Sequence, residues 1–221
     1  MDDLTLVQRF SVWLLPVLFA ITLHEVAHGW AASRLGDNTA KSLGRLSLNP
    51  LRHIDLVGTI LVPGLLLAFG GFIFGWAKPV PVDWGRLRHP RRDMALVAVA
   101  GPGANLVMAL GWAILLRLAM ELPESLDYVA LPLGLMGKAG IAINSVLMVL
   151  NLLPIPPLDG SRVVSTLLPL RAAIQYSRIE PYGFWILLIL IYTNILGRIM
   201  VGPLLLVQHL IYTVVGLAGG A

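Results

Sequence analysis

Apolar residues in this chain come in long blocks separated by short polar stretches. The blocks cover residues 10–35, 56–76, 94–118, 139–153 and 182–217. A helix needs about 20 apolar residues to cross the hydrocarbon core of a bilayer. The first and third blocks meet that length, 139–153 reads as a short span, and 182–217 as one long span or a span plus a short helix. The polar stretches differ in sign. Residues 34–55, 77–93 and 161–181 are rich in Lys and Arg, whereas 119–137 carries Glu121, Glu124 and Asp127. Basic loops stay on the cytoplasmic side, which places the acidic loop and the N-terminus outside. Block 56–76 is basic on both flanks and is broken by Pro63-Gly64 and Gly70-Gly71. A segment that dips in and returns satisfies both flanks, and such backbone is tolerated where protein or water covers it. The stretch Trp76–Val82 alternates weakly, and Pro79 and Pro81 limit it to an edge strand. The expected fold is therefore an all-α integral membrane protein. It is a multi-pass helical bundle forming a single polytopic domain over 1–221, with a re-entrant segment at 56–76 and a short β edge near it.

Composition agrees with that class. The chain is 57% hydrophobic and 13% charged, against about 25% charged in a soluble domain. The net charge of +4 lies in loops, which points to membrane topology rather than nucleic acid. No cysteine is present, so disulfides and thiolate metal sites are excluded. Asp2 and Asp3 open the chain, and no small-residue cleavage site follows the first block. A cleavable signal peptide is not expected.

Three ionisable residues interrupt the apolar run 10–32 of the first block: His24, Glu25 and His28. Charged types in a spanning helix cost about 2.5–3.5 kcal/mol each on insertion scales. The histidines are spaced i, i+4 and so leave one helical face, about one turn apart. Two imidazoles so placed can hold one tetrahedral Zn²⁺. Glu25 is rotated about 100° from His24, beside a metal rather than on it, where a carboxylate can take a proton from water. His-x-x-x-His also arises by chance on helices, and a third ligand is needed. Further along, Gly101, Gly103 and Ala104 form a small-residue face for close helix packing, with Asn105 one turn on. Asn144, Met148 and Asn151 share a face of the 139–153 block. That block ends in Pro154-Ile155-Pro156-Pro157-Leu158-Asp159-Gly160. Asp-Gly is ordinary turn chemistry, but turns favour polar surroundings and this one sits among Leu, Ile and Pro. His209 reads as an interfacial or packed histidine.

HEVAH in the first block, GPGAN in a middle one and NLLPIPPLDG at the end of the next together resemble the site-2 protease family of intramembrane zinc metalloproteases. The family pairs HExxH with a distant N-x-x-P-x-x-x-x-D-G that supplies the third ligand. Asn151, Pro154, Asp159 and Gly160 match it. The resemblance covers roughly residues 20–165. It departs in lacking a PDZ-like domain, in starting directly with the metal-binding helix, and in the length of 56–76. Topology is compatible with the match. The C-terminal ends of the first block and of 139–153 reach one depth if 56–76 does not cross.

The resemblance implies one Zn²⁺ per chain on His24, His28 and Asp159, with Glu25 as general base. It also implies a transmembrane protein as substrate, cut at a site facing the cytoplasmic side of the cell membrane. A helical substrate must unwind before cleavage, and its freed amides need partners in lipid. The 76–82 stretch, through Val80 and Val82, is a candidate edge for β-addition, and the Asn105 amide a candidate substrate contact. The competing readings are a membrane metal carrier using the same ligands and an inactive protease-like binding protein. Glu25 separates them, since a carrier needs no carboxylate beside the metal.

Overall fold

The computed structural model describes residues 4–61 and 78–217. Helix α1 runs Leu6–Arg34 from a capping box in which Thr5 and Gln8 satisfy each other's backbone N–H. Gly36, at φ +120°, ends it with a turn that few L side chains accept. A single-turn α2, Thr39–Ser42, follows. Helix α3 spans Pro90–Met120 and opens with proline in its first turn, where no N–H is needed. Helix α4 spans Asp127–Asn151. Short helices α5 (Asp159–Leu167), α6 (Leu170–Ser177) and α7 (Gly183–Tyr192) lead to α8 (Ile195–Val214). Among the described residues, four helical stretches are long and apolar enough to cross a membrane: Val7–Arg34, Pro90–Met120, Glu124–Asn151 and Ile195–Val214. The chain is an all-α membrane protein.

One span differs from the sequence expectation, and the last block takes the second of its two expected forms, a short helix plus a span. The 139–153 block is the second half of a helix that starts at Asp127. The acidic residues mark only its entrance, because Tyr128–Gly137 carries no charge and continues the helix. Block 182–217 divides at Asn194, which sits in the left-handed region at φ 57°. The resulting α7 has 10 residues, a rise of about 15 Å, half of a hydrocarbon core. Gly183 at its start packs on the Pro156 carbonyl. Beyond its end, Leu196 and Met200 of α8 cluster with Val149 and Leu153. The start of α7 therefore lies at the loop that carries Asp159, and its last turn joins the cluster at the end of α4 through Leu190 and Ile191.

Helices α3 and α4 approach closely where α4 has glycines. A Cβ on Gly137 would lie 2.8 Å from Leu116 Cβ, and one on Gly140 would lie 2.5 Å from Trp112 Cδ1. Small residues at i and i+3 let two membrane helices touch backbone to side chain. At the opposite end from the loop of Asp159, Arg117 donates to the Val215 carbonyl (2.6 Å) and ties α8 to α3.

The loops at the end of α1 are bound together. Arg88 N–H donates to Leu35 O (3.0 Å) and Lys78 N–H to His53 O (2.9 Å). The two sides of the 54–77 segment thus meet. Most of the expected re-entrant segment, 62–76, lies outside the described residues, as does Trp76 of the expected β edge. Among the described residues there is no strand. Residues 78–83 run without a ladder partner, and three of their four backbone donors are already used. The N–H groups of Lys78, Val80 and Asp83 bond to His53 O, Glu25 Oε2 and Asp37 Oδ2, and Pro79 and Pro81 have none.

The close α3–α4 contact predicts a contrast between two glycines. Gly140→Ala forces its methyl into the Trp112 ring and destabilises by about 1–3 kcal/mol. Gly111→Ala, with nothing within 4 Å of the new methyl, is neutral or stabilising. Thermal unfolding of both variants in detergent measures the difference.

Candidate metal centre

The i, i+4 spacing on α1 brings the two imidazoles together, with Nε2 of His24 and Nε2 of His28 3.0 Å apart. Asp159, in the first turn of α5, completes a triangle. Its Oδ2 lies 3.3 Å from His24 Nε2 and 3.2 Å from His28 Nε2. The chain returns to α1 from the end of α4 by a tight fold. Gly160 lies against the carbonyls just past the end of that helix, so close that a Cβ would sit 2.5 Å from Leu153 O. The Tyr176 hydroxyl fixes the turn by donating to Pro154 O (2.7 Å). Asn151 bonds back onto its own helix through Leu147 O (2.9 Å).

The other nitrogen of each histidine decides what the triangle can hold. His28 Nδ1 donates to Val97 O (2.7 Å) and His24 Nδ1 to Asn105 Oδ1 (2.6 Å). A carbonyl oxygen only accepts, so each Nδ1 carries a proton, and in the neutral ring each Nε2 then presents a lone pair. The Asn105 orientation is itself fixed. Its Nδ2 donates to Ala20 O (3.3 Å) and to Asn144 Oδ1 (2.9 Å), and Asn144 Nδ2 donates to Gly140 O (2.9 Å). Asp159 Oδ2 is buried and receives no hydrogen bond. Three acceptors thus face one another with no donor between them, which is unfavourable in a low-dielectric interior unless a cation sits there. A tetrahedral site with bonds of about 2.0–2.1 Å has edges of about 3.3 Å, so the triangle matches one face of a zinc site. His24, His28 and Asp159 are the residues that would hold the metal.

Glu25 leaves α1 on another side. Its Oε2 accepts from Val80 N–H (2.7 Å), which leaves Oε1 as the oxygen not engaged by that bond. Val80 is buried; a Cβ on Gly29 would lie 2.7 Å from Val80 Cγ1. Val82 packs on the cluster of Ala31, Ala32, Leu87 and Val97. Asn105, expected as a substrate contact, is fully buried, and its amide is spent on His24, Ala20 and Asn144. Gly101 has a role that the sequence did not disclose. A Cβ there would overlap His28 Nε2 and lie 2.6 Å from His24 Cε1. Val97, Gly101 and Asn105 are spaced by four, one stripe of α3 turned to the histidines. That spacing was the available signal.

Asp37 holds the 78–83 chain in place. Its Oδ1 accepts from Thr39 N–H (2.9 Å) and hydroxyl (2.5 Å), and Oδ2 from Asp83 N–H (2.8 Å). Burial opposes its ionisation, but the Thr39 and Asp83 donors and the nearby Arg86 charge outweigh it and hold the carboxyl below its usual range.

The comparisons with known proteins agree on one activity. The chain is 38% identical over 193 residues to "Putative zinc metalloprotease YwhC" of Bacillus subtilis (strain 168), covering 87% of this chain and 84% of that one. It is 33% identical over 186 residues to "Putative zinc metalloprotease Rip2" of Mycolicibacterium smegmatis, covering 82% of this chain and 66% of the relative. No family model and no solved structure matches.

Two expectations follow from this geometry. Asp159→Ala loses bound zinc, and Asn105→Ala, which frees the His24 tautomer, weakens zinc affinity about 10–100-fold; chelator competition on purified protein measures both. The second concerns Asp37. A lowered folded pKa gives stability that is complete well above the unfolded value near 3.9 and is lost as pH falls through the folded value. The melting temperature of wild type therefore exceeds that of Asp37→Asn by a constant margin above about pH 5. The charge-dependent part of that margin vanishes on acidification.

Proposed function

The chain belongs to the zinc metalloprotease family of YwhC and Rip2, and from that premise we propose that it is an intramembrane endopeptidase of the site-2 protease type. Its reaction is hydrolysis of a peptide bond in or near a transmembrane segment of a membrane protein. The observation that carries this reading is the convergence of His24 Nε2, His28 Nε2 and Asp159 Oδ2 at one end of apolar helices, with Glu25 adjacent in sequence. His24, His28 and Asp159 would hold the Zn²⁺, which would supply Lewis acidity toward the scissile carbonyl and lower the pKa of water to about 7.

The chain's own residues do the rest. Glu25 takes the proton of the attacking water and delivers it to the leaving amine. Val80 N–H holds Oε2, so the carboxylate keeps one orientation throughout. Asn105 and the Val97 carbonyl keep both histidines in the tautomer that leaves Nε2 bare. Asn105 is thus a positioning residue. Both of its amide N–H groups are engaged, and the residue is fully buried, away from a substrate backbone. The unwound substrate segment pairs instead along residues 80–82, chiefly through their carbonyls, since Pro81 has no N–H and the Val80 N–H is held by Glu25. The basic loops 34–55, 77–93 and 161–181 support a site that faces the cytoplasmic side of the cell membrane.

Glu25→Gln tests the assignment in liposomes holding a helical membrane substrate. Cleavage falls by at least about 10²–10⁴-fold while zinc content stays at one per chain. A Glu25→Gln protein that still cleaves removes Glu25 from the reaction. Metal flux without proteolysis by the wild type would favour a carrier.

A further inference from the structure

The end of the bundle that carries Asp159 has a second feature, on its outer surface. A cleft of about 410 Å³ opens between the start of α3 and helices α5 and α6. Its walls are apolar, with Met94, Leu170 and Ile174 among them, and Arg91, Arg178 and Ser165 also line it. Arg91 is fixed by two carbonyls at the end of α5, Thr166 O (3.0 Å) and Leu168 O (2.5 Å). Those acceptors are neutral and leave its charge uncompensated. Arg178 follows α6 directly. Among the described residues no carboxylate forms an ion pair with either one, whereas the nearby Arg162 is paired with Glu180.

Helix α6 lies beside the cleft as an interfacial element. It has 8 residues, about 12 Å, too short to cross. On α6, Leu170 and Ile174 are 68% and 51% exposed and lie four residues apart on one face; Leu167, at the end of α5, is 79% exposed beside them in sequence. Arg171 and Arg178 flank that face seven residues apart. A short helix with an exposed apolar stripe beside basic residues lies in the plane of the headgroups. Two unpaired guanidiniums at an apolar cleft, at headgroup depth, call for a ligand with a negative head and a hydrocarbon body.

We propose that this cleft binds one anionic phospholipid. Its phosphate sits between Arg91 and Arg178, and an acyl chain runs along Met94, Leu170 and Ile174. The charges select anionic over zwitterionic headgroups, and the apolar walls select a lipid over a free anion.

Native mass spectrometry of the full chain in detergent tests this, with dioleoyl phosphatidylglycerol or dioleoyl phosphatidylcholine added. The wild type retains one phosphatidylglycerol in preference to phosphatidylcholine, and inorganic phosphate does not displace it. Arg178→Gln, which breaks no internal side-chain bond, lowers phosphatidylglycerol retention about fivefold and leaves phosphatidylcholine retention as it was. Ala173→Phe, which fills the cleft and keeps both arginines, lowers phosphatidylglycerol retention too. Unchanged zinc content shows that each variant is folded. Equal retention of the two lipids overturns the proposal, as does full phosphatidylglycerol retention in Arg178→Gln. Displacement by inorganic phosphate would make the cleft a free-anion site, and displacement by an acidic peptide a protein-docking site; either overturns it.

Discussion

Three hydrogen-bond acceptors that meet without a donor set the terms for the rest of this molecule. With both rings neutral, two bare Nε2 atoms and a carboxylate oxygen face one another at 3.0–3.3 Å, and their repulsion is stronger away from water. The arrangement is sensible only around a cation. It also has to be enforced, because a histidine free to change tautomer would turn an N–H into the triangle and close the site with a hydrogen bond.

Enforcement comes from backbone carbonyls that cannot reverse their role. Gly140 O sets Asn144, which with Ala20 O sets Asn105, which sets His24. Val97 O sets His28 directly. The relay joins α1, α3 and α4, so the metal centre and the helix packing are one structure. Each buried amide is satisfied, which is the condition for placing asparagines inside an apolar bundle. Glycines provide the room: Gly101 for the imidazole rings, Gly137 and Gly140 for the approach of α3 and α4, Gly160 for the return of Asp159.

Outside the bundle, the loops at the same end repeat the principle with charge. Asp37 gathers the N–H groups of Thr39 and Asp83, which seats the chain whose Val80 N–H holds Glu25. An extended chain that spends its donors inward leaves few for a sheet. Helices α5 to α7 are too short to cross, and α6 turns an apolar stripe outward.

The sequence by itself determined the membrane class and the helical character, since long uncharged blocks have no other stable form in lipid. It also determined the spacing that puts His24 and His28 on one face, because helix geometry is local. The remaining span limits were less legible. Charge marked the entrance to α4 but not how soon the helix begins after it, and one left-handed residue, Asn194, divided the last block. Only the tertiary structure decided that Asp159 reaches the histidines, that Asn105 serves His24 rather than facing outward, and that Gly101 lies against the rings. These depend on which helices adjoin and how closely, and contacts between residues 69 to 85 positions apart leave no period in the chain to read. The helix period could have flagged Val97, Gly101 and Asn105 as one stripe; that the stripe faces α1 is a fact of packing.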